Sequence, residues 1–513
     1  MKGHDTVVVL DFGSQYTQLI ARRIREDGVY SKILPYNVSI DEIKQLSPRA
    51  LILSGGPSSV YEKEAPIASP DIVNMGLPVL GICYGLQLIG KFYGSKIESS
   101  TKKEYGRSEL ILDEEDPLFA GFNGSSTVWM NHGDKIENLP EGFRRLGHTN
   151  NSEFAAIRHN TKDIYGIQFH PEVAHTEMGN QLLHNFVRNI SKISGDWTPK
   201  TFIQESILGI REEVGENNVL CAVSGGVDST VMAALLEKAI GERATFVFID
   251  TGLLRLNEAN DNMKMFSEIL NIKVQLYDKS KQFLAELAGI SDPESKRNII
   301  GKTFIDVFSE ITNSLGEHKF LAQGTLYPDV IESRSVYGPS ETIKSHHNVG
   351  GLPDDMKFEL IEPLKELFKD EVRNVGRELA ISEEALGKHP FPGPGLAVRC
   401  PGEVNEEKLD LIRRSDDIFI RELRSSGNYD KVWQAFTVLL PIKSVGVMGD
   451  KRTYSNAIAL RAVTSVDGMT ADWGHLPYEL LGKVSDKIIN EIDGINRVVY
   501  DISSKPPATI EWE

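Results

Sequence analysis

The sequence is poor in cysteine, with only three in 513 residues. Cys83, Cys221 and Cys400 are odd in number and lie far apart, which argues against a disulfide framework and favours a reducing compartment. Residues 1–5 lead directly into a short apolar strand and lack the layout of a secretory signal. We therefore expect a cytoplasmic protein.

Long apolar runs and an excess of positive charge are also missing. No apolar run approaches the ~20 residues needed to cross a bilayer. The chain has 56 Lys and Arg against 73 Asp and Glu, a formal net charge of −17. Nucleic acid and anionic membranes are bound by dense positive charge, so this balance argues against both as partners. Small anionic substrates are compatible with this net negative charge, because loops and helix N-termini bind phosphate locally.

The length and the pattern of elements predict three domains. Short apolar strands alternate with helical stretches in the first segment, as at residues 7–10 and 79–82, which is typical of buried parallel strands. A boundary falls near residues 194–197, where Thr198 and Pro199 begin a helix. A second α/β set follows, and dense proline and glycine at 390–402 mark the next boundary.

We therefore predict an α/β protein. Two doubly wound parallel-sheet domains, residues 1–197 and 198–388, are followed by a small α+β C-terminal domain, residues 389–513.

A cysteine at a strand-to-helix turn is the first candidate for catalysis. Residues 81–85, Gly-Ile-Cys-Tyr-Gly, follow an apolar strand and open a helical stretch, and they match the G-x-nucleophile-x-G turn with cysteine in place of serine. The helix N-terminus favours the thiolate, the reactive form. A lone cysteine is more often a buried structural residue, and Cys221 inside an apolar strand fits that description. Cys83 with its glycine frame does not.

A histidine and a glutamate downstream can serve this cysteine. Pro171 keeps His170 extended, so His170 and Glu172, at positions i and i+2, project to the same side. The carboxylate then orients the imidazole that deprotonates Cys83. His132, in the stretch Trp-Met-Asn-His-Gly-Asp at 129–134, is the alternative base.

These residues resemble the class I glutamine amidotransferases over residues 1 to about 197. The resemblance includes the stretch Ser-Gly-Gly-Pro at 54–57. It implies that ammonia is released from glutamine through a glutamyl thioester on Cys83. It also implies an oxyanion hole made by the backbone N–H groups of Gly56 and Tyr84.

A glycine-bearing loop between a strand and a helix is the second candidate site. Such a turn lets backbone N–H groups approach phosphate oxygens, with the helix dipole behind them. The Walker lysine is absent, and Asp228 instead offers a carboxylate suited to Mg²⁺. The loop consists of Ser224, Gly225, Gly226, Val227, Asp228, Ser229 and Thr230.

This loop resembles that of the N-type ATP pyrophosphatases. The resemblance implies cleavage of ATP between the α- and β-phosphates and adenylation of a carbonyl oxygen. Asp250, at the end of the next strand, would face the same crevice, although it could also be only a strand-end cap. Residues 343–351 are polar and contain glycine, which is typical of a closing lid. Within this stretch, Lys344 is expected to neutralise the charge of the pyrophosphate. His346 and His347 alternate in direction and lack further ligands, which argues against zinc.

The order of these parts resembles the GMP synthase (glutamine-hydrolysing) family over essentially the full chain. The resemblance includes residues 391–396 and the ending at 504–513. It implies conversion of xanthosine monophosphate (XMP) to GMP with glutamine and ATP, through an adenyl-XMP intermediate. It further implies a homodimer formed mainly by residues after about 389, with XMP contacts from Arg255, Lys505 and Glu511. The proline-paired tail, which carries a terminal tryptophan, is expected to be tethered.

Two other interpretations stay open. The chain could be another adenylating amidotransferase, making NAD or modifying tRNA, although glutamine-using NAD synthases carry a different ammonia-producing domain and a tRNA enzyme should be basic. It could also be a catalytically silent binding protein on the same fold. A silent copy need not retain Cys83, His170, Glu172 and Asp228.

Overall fold

The computed structural model describes residues 3–333, 358–448, 451–465 and 470–513. Two compact units are found among these residues, one made of 3–205 and 328–333 and the other of 206–327 and the described residues from 358 to 513. None of the helices in these ranges is long and apolar enough to span a membrane.

The first unit contains a nine-stranded sheet in the order β2-β1-β3-β4-β9-β8-β7-β5-β6. Its strands are β1 Thr6–Asp11, β2 Tyr30–Pro35, β3 Ala50–Leu53, β4 Val79–Ile82, β5 Ile97–Leu112, β6 Ser125–Ile136, β7 Phe143–His148, β8 Ala156–His159 and β9 Ile164–Ile167. The helices that accompany them are α1 Thr17–Glu26, α2 Ile40–Gln45, α3 Tyr84–Phe92 and α4 Gly179–His184.

The parallel sheet predicted for this unit is confirmed for five of these strands. Strands β2, β1, β3, β4 and β9 pair in parallel, and residues 7–10 of β1 are fully buried, as strands covered on both faces are. The remaining strands pair antiparallel. This antiparallel extension was not predicted from the sequence, although β6 alternates buried with more exposed positions, as a half-buried strand does.

The second unit contains a five-stranded sheet in the order β12-β11-β10-β13-β14, and all of its strands pair in parallel. These strands are β10 Val219–Ala222, β11 Ala244–Asp250, β12 Val274–Asp278, β13 Phe320–Ala322 and β14 Glu359–Ile361. The helices of this part of the chain are α5 Pro199–Val214, α6 Val227–Ile240, α7 Glu258–Lys264, α8 Ser280–Glu286, α9 Pro293–Ser314, α10 Tyr327–Ser333, α11 Lys369–Glu378 and α12 Glu383–Leu386. The predicted second doubly wound sheet is confirmed.

A smaller mixed sheet follows in the same unit, as predicted. Its elements are α13 Glu406–Ser425, β15 Gln434–Met448, β16 Lys451–Thr464, β17 Asp472–Trp473, α14 Tyr478–Glu491 and β18 Ile495–Asp501. Strand β16 pairs antiparallel with β15 and β17 and parallel with β18. One apolar core runs from β10 and β11 to α13, β16 and α14. This continuity explains why the two C-terminal domains predicted from sequence form one compact unit.

Candidate active sites

The candidate nucleophile lies at a sharp turn between β4 and α3. Cys83 is buried, and its φ of 54° with ψ of −102° is a strained conformation for a residue with a side chain. A Cβ at Gly81 would lie 2.5 Å from the carbonyl oxygen of Gly85, and a Cβ at Gly85 would lie 2.3 Å from that of Leu53. The turn therefore requires glycine on both sides of the cysteine. It holds the thiol at the N-terminus of α3.

The histidine and the glutamate predicted to assist Cys83 are in contact. His170 Nδ1 lies 2.7 Å from Glu172 Oε1, and both side chains are buried. Burial lowers the pKa of His170, but the charge of Glu172, the hydrogen bond to Glu172 and the interaction with Cys83 together raise that pKa well above its usual value. Nε2, the other ring nitrogen, makes no other hydrogen bond within the described part of the chain, and Cys83 is the group besides Glu172 that interacts with the ring. It is thus available to take a proton from Cys83.

The alternative base, His132, belongs to a separate buried network. Its Nε2 lies 3.3 Å from Glu104 Oε2, and its Nδ1 lies 3.0 Å from the carbonyl oxygen of Asp134. Glu104 also accepts a hydrogen bond of 3.0 Å from the Thr149 hydroxyl. The carboxylate comes from β5, where Glu104 lies opposite His132 in the register, and local spacing could not reveal it. Both nitrogens of His132 are occupied, so His170 is the better base.

The two predicted oxyanion donors lie side by side. A Cβ at Gly56 would lie 2.8 Å from the Phe12 carbonyl oxygen and 3.3 Å from Cγ of Tyr84. Ser54 fixes this turn, because its Oγ accepts the Phe12 N–H at 3.1 Å and donates to the Gly55 carbonyl at 2.8 Å. Among the residues that the structure describes, no acceptor is found for the N–H of Gly56 or Tyr84. Both are free to donate to a ligand.

Two contacts of the cysteine were not predicted from the sequence. Gln168 Nε2 lies 3.6 Å from Cys83 Sγ, and the carbonyl oxygen of Asn131 lies 3.8 Å from the same sulfur. Gln168 lies two residues before His170, so the extended spacing that pairs His170 with Glu172 would also have indicated it. Asn131 acts through its backbone, which leaves no signal in the sequence.

The phosphate loop of the second unit is held by its own side chains. Gly225 has φ of 74°, and a Cβ there would lie 2.1 Å from Nδ2 of Asn262. Ser229 Oγ accepts the Ser224 N–H at 3.2 Å, and Thr230 Oγ1 donates to the Gly226 carbonyl at 2.8 Å. Gly226 and the residues after it then begin α6, whose first N–H groups have no intrahelical acceptors. This end of the helix can bind phosphate.

Asp228, on the first turn of α6, forms an ion pair with Lys369. The lysine Nζ lies 2.7 Å from Oδ1 and 2.6 Å from Oδ2 of the carboxylate. Magnesium in proteins is held by one or two carboxylates together with phosphate oxygens and water. The described ranges contain no group of three His, Cys, Asp or Glu that could hold a metal. Asp228 could hold magnesium only as one carboxylate ligand together with oxygens from a bound ligand or water.

A second lysine approaches the loop from the other side. Lys388 Nζ donates to Asn262 Oδ1 at 2.6 Å and to the Gly225 carbonyl at 3.2 Å. Burial lowers the pKa of Lys388, although Glu258 and Asp261 oppose this effect. Lys369 and Lys388 both come from residues after β14, more than a hundred residues beyond the loop. Sequence reasoning did not find them.

Of the other residues predicted for this site, the structure describes Asp250 but not Lys344. Asp250 ends β11, and its Oδ1 accepts the Gly252 N–H at 2.8 Å, as in the capping alternative. A Cβ at Gly324, after β13, would lie 3.7 Å from the Cβ of Asp228, so the end of this strand also lies beside the loop. Lys344, with its neighbours His346 and His347, lies outside the described residues.

Around the predicted XMP contacts, two arginines enclose Phe391. The guanidinium carbon of Arg255 lies 5.2 Å from the ring centre and that of Arg399 lies 5.0 Å away. Arg399 donates to Glu511 through Nη2 at 3.0 Å and Nε at 3.2 Å. Arg255 Nε lies 3.4 Å from Asp416 Oδ2. Among described residues, Arg399 Nη1 and Arg255 Nη2 have no hydrogen-bond partner, so both arginines retain donors for an anion.

The structure thus brings Arg255 and Glu511 to one cluster, but Arg399 was not predicted. Gln434 also joins this cluster, since its Nε2 donates to Glu511 Oε1 at 2.6 Å. Lys505 lies earlier in the tail, where its backbone pairs with Ala471 in an antiparallel bridge.

Three stretches of the chain match known protein families. Residues 8–190, with the Cys83 turn, match glutamine amidotransferase class-I. Residues 218–305, with the phosphate loop, match the phosphoadenosine phosphosulfate reductase domain. Residues 421–512, with Glu511, match the GMP synthase C terminal domain.

Curated relatives match along the whole chain. A protein of Chlorobium phaeovibrioides named GMP synthase (glutamine-hydrolyzing) is 60% identical, over 99% of this chain and 100% of that protein. A protein of Chlorobaculum tepidum with the same name is 59% identical, over 99% of both chains. The chain belongs to the GMP synthase family. Membership of this family excludes the two alternatives of an enzyme that makes NAD and an enzyme that modifies tRNA.

A solved structure also resembles part of the chain. A glutamine amidotransferase from Thermotoga maritima is 18% identical with a TM-score of 0.31, covering 37% of this chain and 99% of that one. The full-length GMP synthase relatives decide the family.

Proposed function

We propose that this chain catalyses the ATP-dependent amination of XMP to GMP with ammonia taken from glutamine. One observation carries the proposal: the same chain holds a Cys83–His170–Glu172 site in one unit and a lysine-flanked phosphate loop in the other. Ammonia release joined to adenylation makes an amide- or amine-forming ligase. The names of the full-length relatives support XMP as the acceptor.

In the first site, His170 takes the proton of the Cys83 thiol through Nε2. The thiolate attacks the side-chain amide carbon of glutamine, and the N–H groups of Gly56 and Tyr84 stabilise the oxyanion. Protonated His170 gives its proton to the leaving nitrogen, so that ammonia departs and a glutamyl thioester stays on Cys83. Water then hydrolyses the thioester and releases glutamate. Glu172 keeps His170 in the orientation and protonation state that this sequence of transfers needs.

In the second site, the C2 oxygen of XMP attacks the α-phosphorus of ATP, and pyrophosphate leaves. The N–H groups at the start of α6 bind phosphate oxygens. Lys369 and Lys388 supply the positive charge that the missing Walker lysine would give. Ammonia then attacks C2 of the adenylated purine, and AMP departs with the former C2 oxygen. Adenylation is needed because a purine carbonyl oxygen is otherwise a poor leaving group.

Magnesium fits this site with Asp228 as its protein ligand and phosphate oxygens of ATP as the others. It would supply charge neutralisation and orientation of the phosphates when bound. Asp250 and Lys344 stay part of the proposal, Asp250 on the same edge of the sheet as the loop and Lys344 as the lid residue.

For XMP we propose a pocket formed by Arg255 and Glu511, with Lys505 as a further contact. Its support is the pair formed by partly buried Arg255 and fully buried Arg399 beside Phe391, whose spare donors suit a phosphate or a purine carbonyl. The proposed domains are residues 1–197 for glutamine hydrolysis, 198–388 for adenylation, and 389–513 for dimer formation and XMP binding. The three sheets support this division.

We further propose a homodimer that forms through the sheet of β15, β16 and β18. Several large apolar side chains are exposed on these strands and the residues that follow them: Ile442, Val445, Val447, Tyr454, Val499 and Ile502. Val445 and Tyr454 lie opposite each other in the register of β15 and β16. An exposed apolar patch of this kind marks a protein interface, and a homodimer is the simplest symmetric way to cover it. The free cysteines support a cytoplasmic location.

Labelled oxygen tests the proposed reaction. XMP that carries heavy oxygen at C2 is incubated with the full chain, ATP, magnesium and glutamine, and the products are analysed by mass spectrometry. The label is expected in AMP, with pyrophosphate as the second product. Label in inorganic phosphate, with ADP formed, would mean γ-phosphoryl transfer and would overturn the reading of the second site.

A further inference from the structure

One lysine of the second unit is fully enclosed although the proposed chemistry does not use it. Lys296 lies on the first turn of α9, and its side chain is 0% exposed. Burying an ammonium group is unfavourable unless its donors are paired. Lys296 Nζ donates to the carbonyl oxygens of Ala397 at 3.3 Å and Cys400 at 2.8 Å, and to the carboxylate of Glu513. All three donors are therefore used.

The partners of Lys296 belong to the two chain segments that form the ion pair between Arg399 and Glu511. Ala397 and Cys400 flank Arg399 in the chain, and Glu513 lies two residues beyond Glu511. Arg399 binds Glu511 with two hydrogen bonds. A single buried ammonium group thus fixes the backbone around the arginine and also the tail that carries the glutamate.

Two further contacts hold the tail at the same point. The N–H of Gly402 donates to Glu513 Oε1 at 3.3 Å, and Arg297 donates to the backbone oxygen of Glu513. The Glu513 side chain is only 8% exposed. The prediction of a tethered tail is therefore confirmed, and the anchor is a buried ion pair at its last residue.

We propose that Lys296 is a positioning residue for XMP binding, acting through Glu511 and Arg399 without touching the substrate. This inference rests on the proposed function, in which Glu511 contacts XMP. A lysine that only stabilised the fold would affect unfolding, whereas a positioning residue also controls the KM for XMP. Misplacing a binding group by about 1 Å can cost on the order of 100-fold in rate.

The test uses the full chain with saturating ammonia in place of glutamine, so that the first site does not limit the rate. In Lys296→Met, the KM for XMP is expected to rise by roughly 10- to 100-fold, while the KM for ATP stays near its original value. Lys296→Arg keeps the positive charge and is expected to restore most of the loss. Lys302→Met, at an exposed position of the same helix, is the matched control and should leave both KM values unchanged.

A second variant keeps the test decisive if Lys296→Met does not fold. Glu513→Gln removes the charge of the partner at the end of the tail and is also expected to raise the KM for XMP. If both variants fold, combining them should raise it no further than Lys296→Met alone, because they act on one interaction.

Glu511→Gln distinguishes a failure of the proposed XMP pocket from a failure of the proposed role of Lys296. An unchanged KM for XMP in Glu511→Gln would overturn the proposed XMP pocket. A raised KM in Glu511→Gln, with an unchanged KM in Lys296→Met or in Glu513→Gln, would overturn the role of Lys296 alone. A loss confined to kcat in soluble, folded Lys296→Met would overturn it as well.

Discussion

Replacing Glu172 with glutamine tests how the first site prepares its base. The Glu172 side chain is fully buried, and its Oε1 lies 2.7 Å from His170 Nδ1. Glutamine has nearly the same shape, but it carries no charge and can present an amide N–H to the ring. The substitution therefore removes the electrostatic support of the imidazolium without opening a cavity.

The size of the effect follows from the contact that is lost. A hydrogen bond to a charged group contributes about 1.5–3 kcal/mol, and each 1.36 kcal/mol is a factor of about ten in rate. This gives a loss of roughly 10- to 100-fold. If the amide also selects the wrong tautomer of His170, the loss approaches about 10⁴, the value known for the equivalent change in a serine protease. We expect kcat with glutamine to fall within these limits.

The pH dependence should change in a definite direction. Burial lowers the pKa of His170, and the charge and hydrogen bond of Glu172 are main causes that raise it. Without the carboxylate, His170 loses its proton at lower pH. The pH profile of kcat/KM for glutamine should therefore shift to lower pH in Glu172→Gln.

The assay compares GMP formation from glutamine with GMP formation from added ammonia. Glu172→Gln should lose only the first activity. Glu177→Gln is a matched control, because Glu177 is exposed and five residues away in the chain. An equal loss of both activities, or full activity with glutamine, would refute the assignment of Glu172 as the residue that orients His170.

Three further predictions follow from the same structure. Cys83→Ala should abolish synthesis from glutamine and spare synthesis from ammonia; loss of both would contradict separate sites. Asp228→Asn should remove most of the magnesium-dependent ATP turnover with XMP, because a neutral amide is a poorer ligand for Mg²⁺ than a carboxylate; unchanged turnover would remove Asp228 from the site. Val445→Lys should convert the proposed dimer to monomers in sedimentation equilibrium, since it places like charges across a two-fold interface; an original chain that is already monomeric and active at micromolar concentration would exclude the dimer.

The first site could be predicted almost completely because its residues lie in short, regular segments. Cys83 lies between glycines that the turn requires, and His170 and Glu172 are two residues apart on an extended chain. Such local spacing determines geometry directly. The Glu104 carboxylate that holds His132 could not be predicted, because it faces His132 only through the antiparallel register of β5 and β6. Register between distant strands is not encoded in local spacing.

The cations of the second unit could not be predicted for a related reason. The loop at 224–230 has a local pattern, but Lys369 and Lys388 reach it from segments more than a hundred residues later. Arg399 and Lys296 likewise meet the tail only in the folded chain. A single charged residue most often faces solvent, so nothing in the sequence distinguishes these four from other surface charges.

The pairing of Asp228 with Lys369 has a consequence for the order in which the second site fills. Both oxygens of the Asp228 carboxylate accept hydrogen bonds from Lys369, and a carboxylate paired in this way is poorly suited to a cation. A triphosphate at the start of α6 carries more negative charge than one carboxylate and competes for the same lysine. As Lys369 turns to the phosphates, Asp228 is released at the moment when phosphate oxygens become available as further ligands.

We therefore expect magnesium to bind this site together with ATP and only weakly before it. Calorimetric titration with magnesium alone, compared with titration in the presence of a non-hydrolysable ATP analogue, measures this difference. Equal magnesium affinity under both conditions would mean that the ion pair does not control access to Asp228.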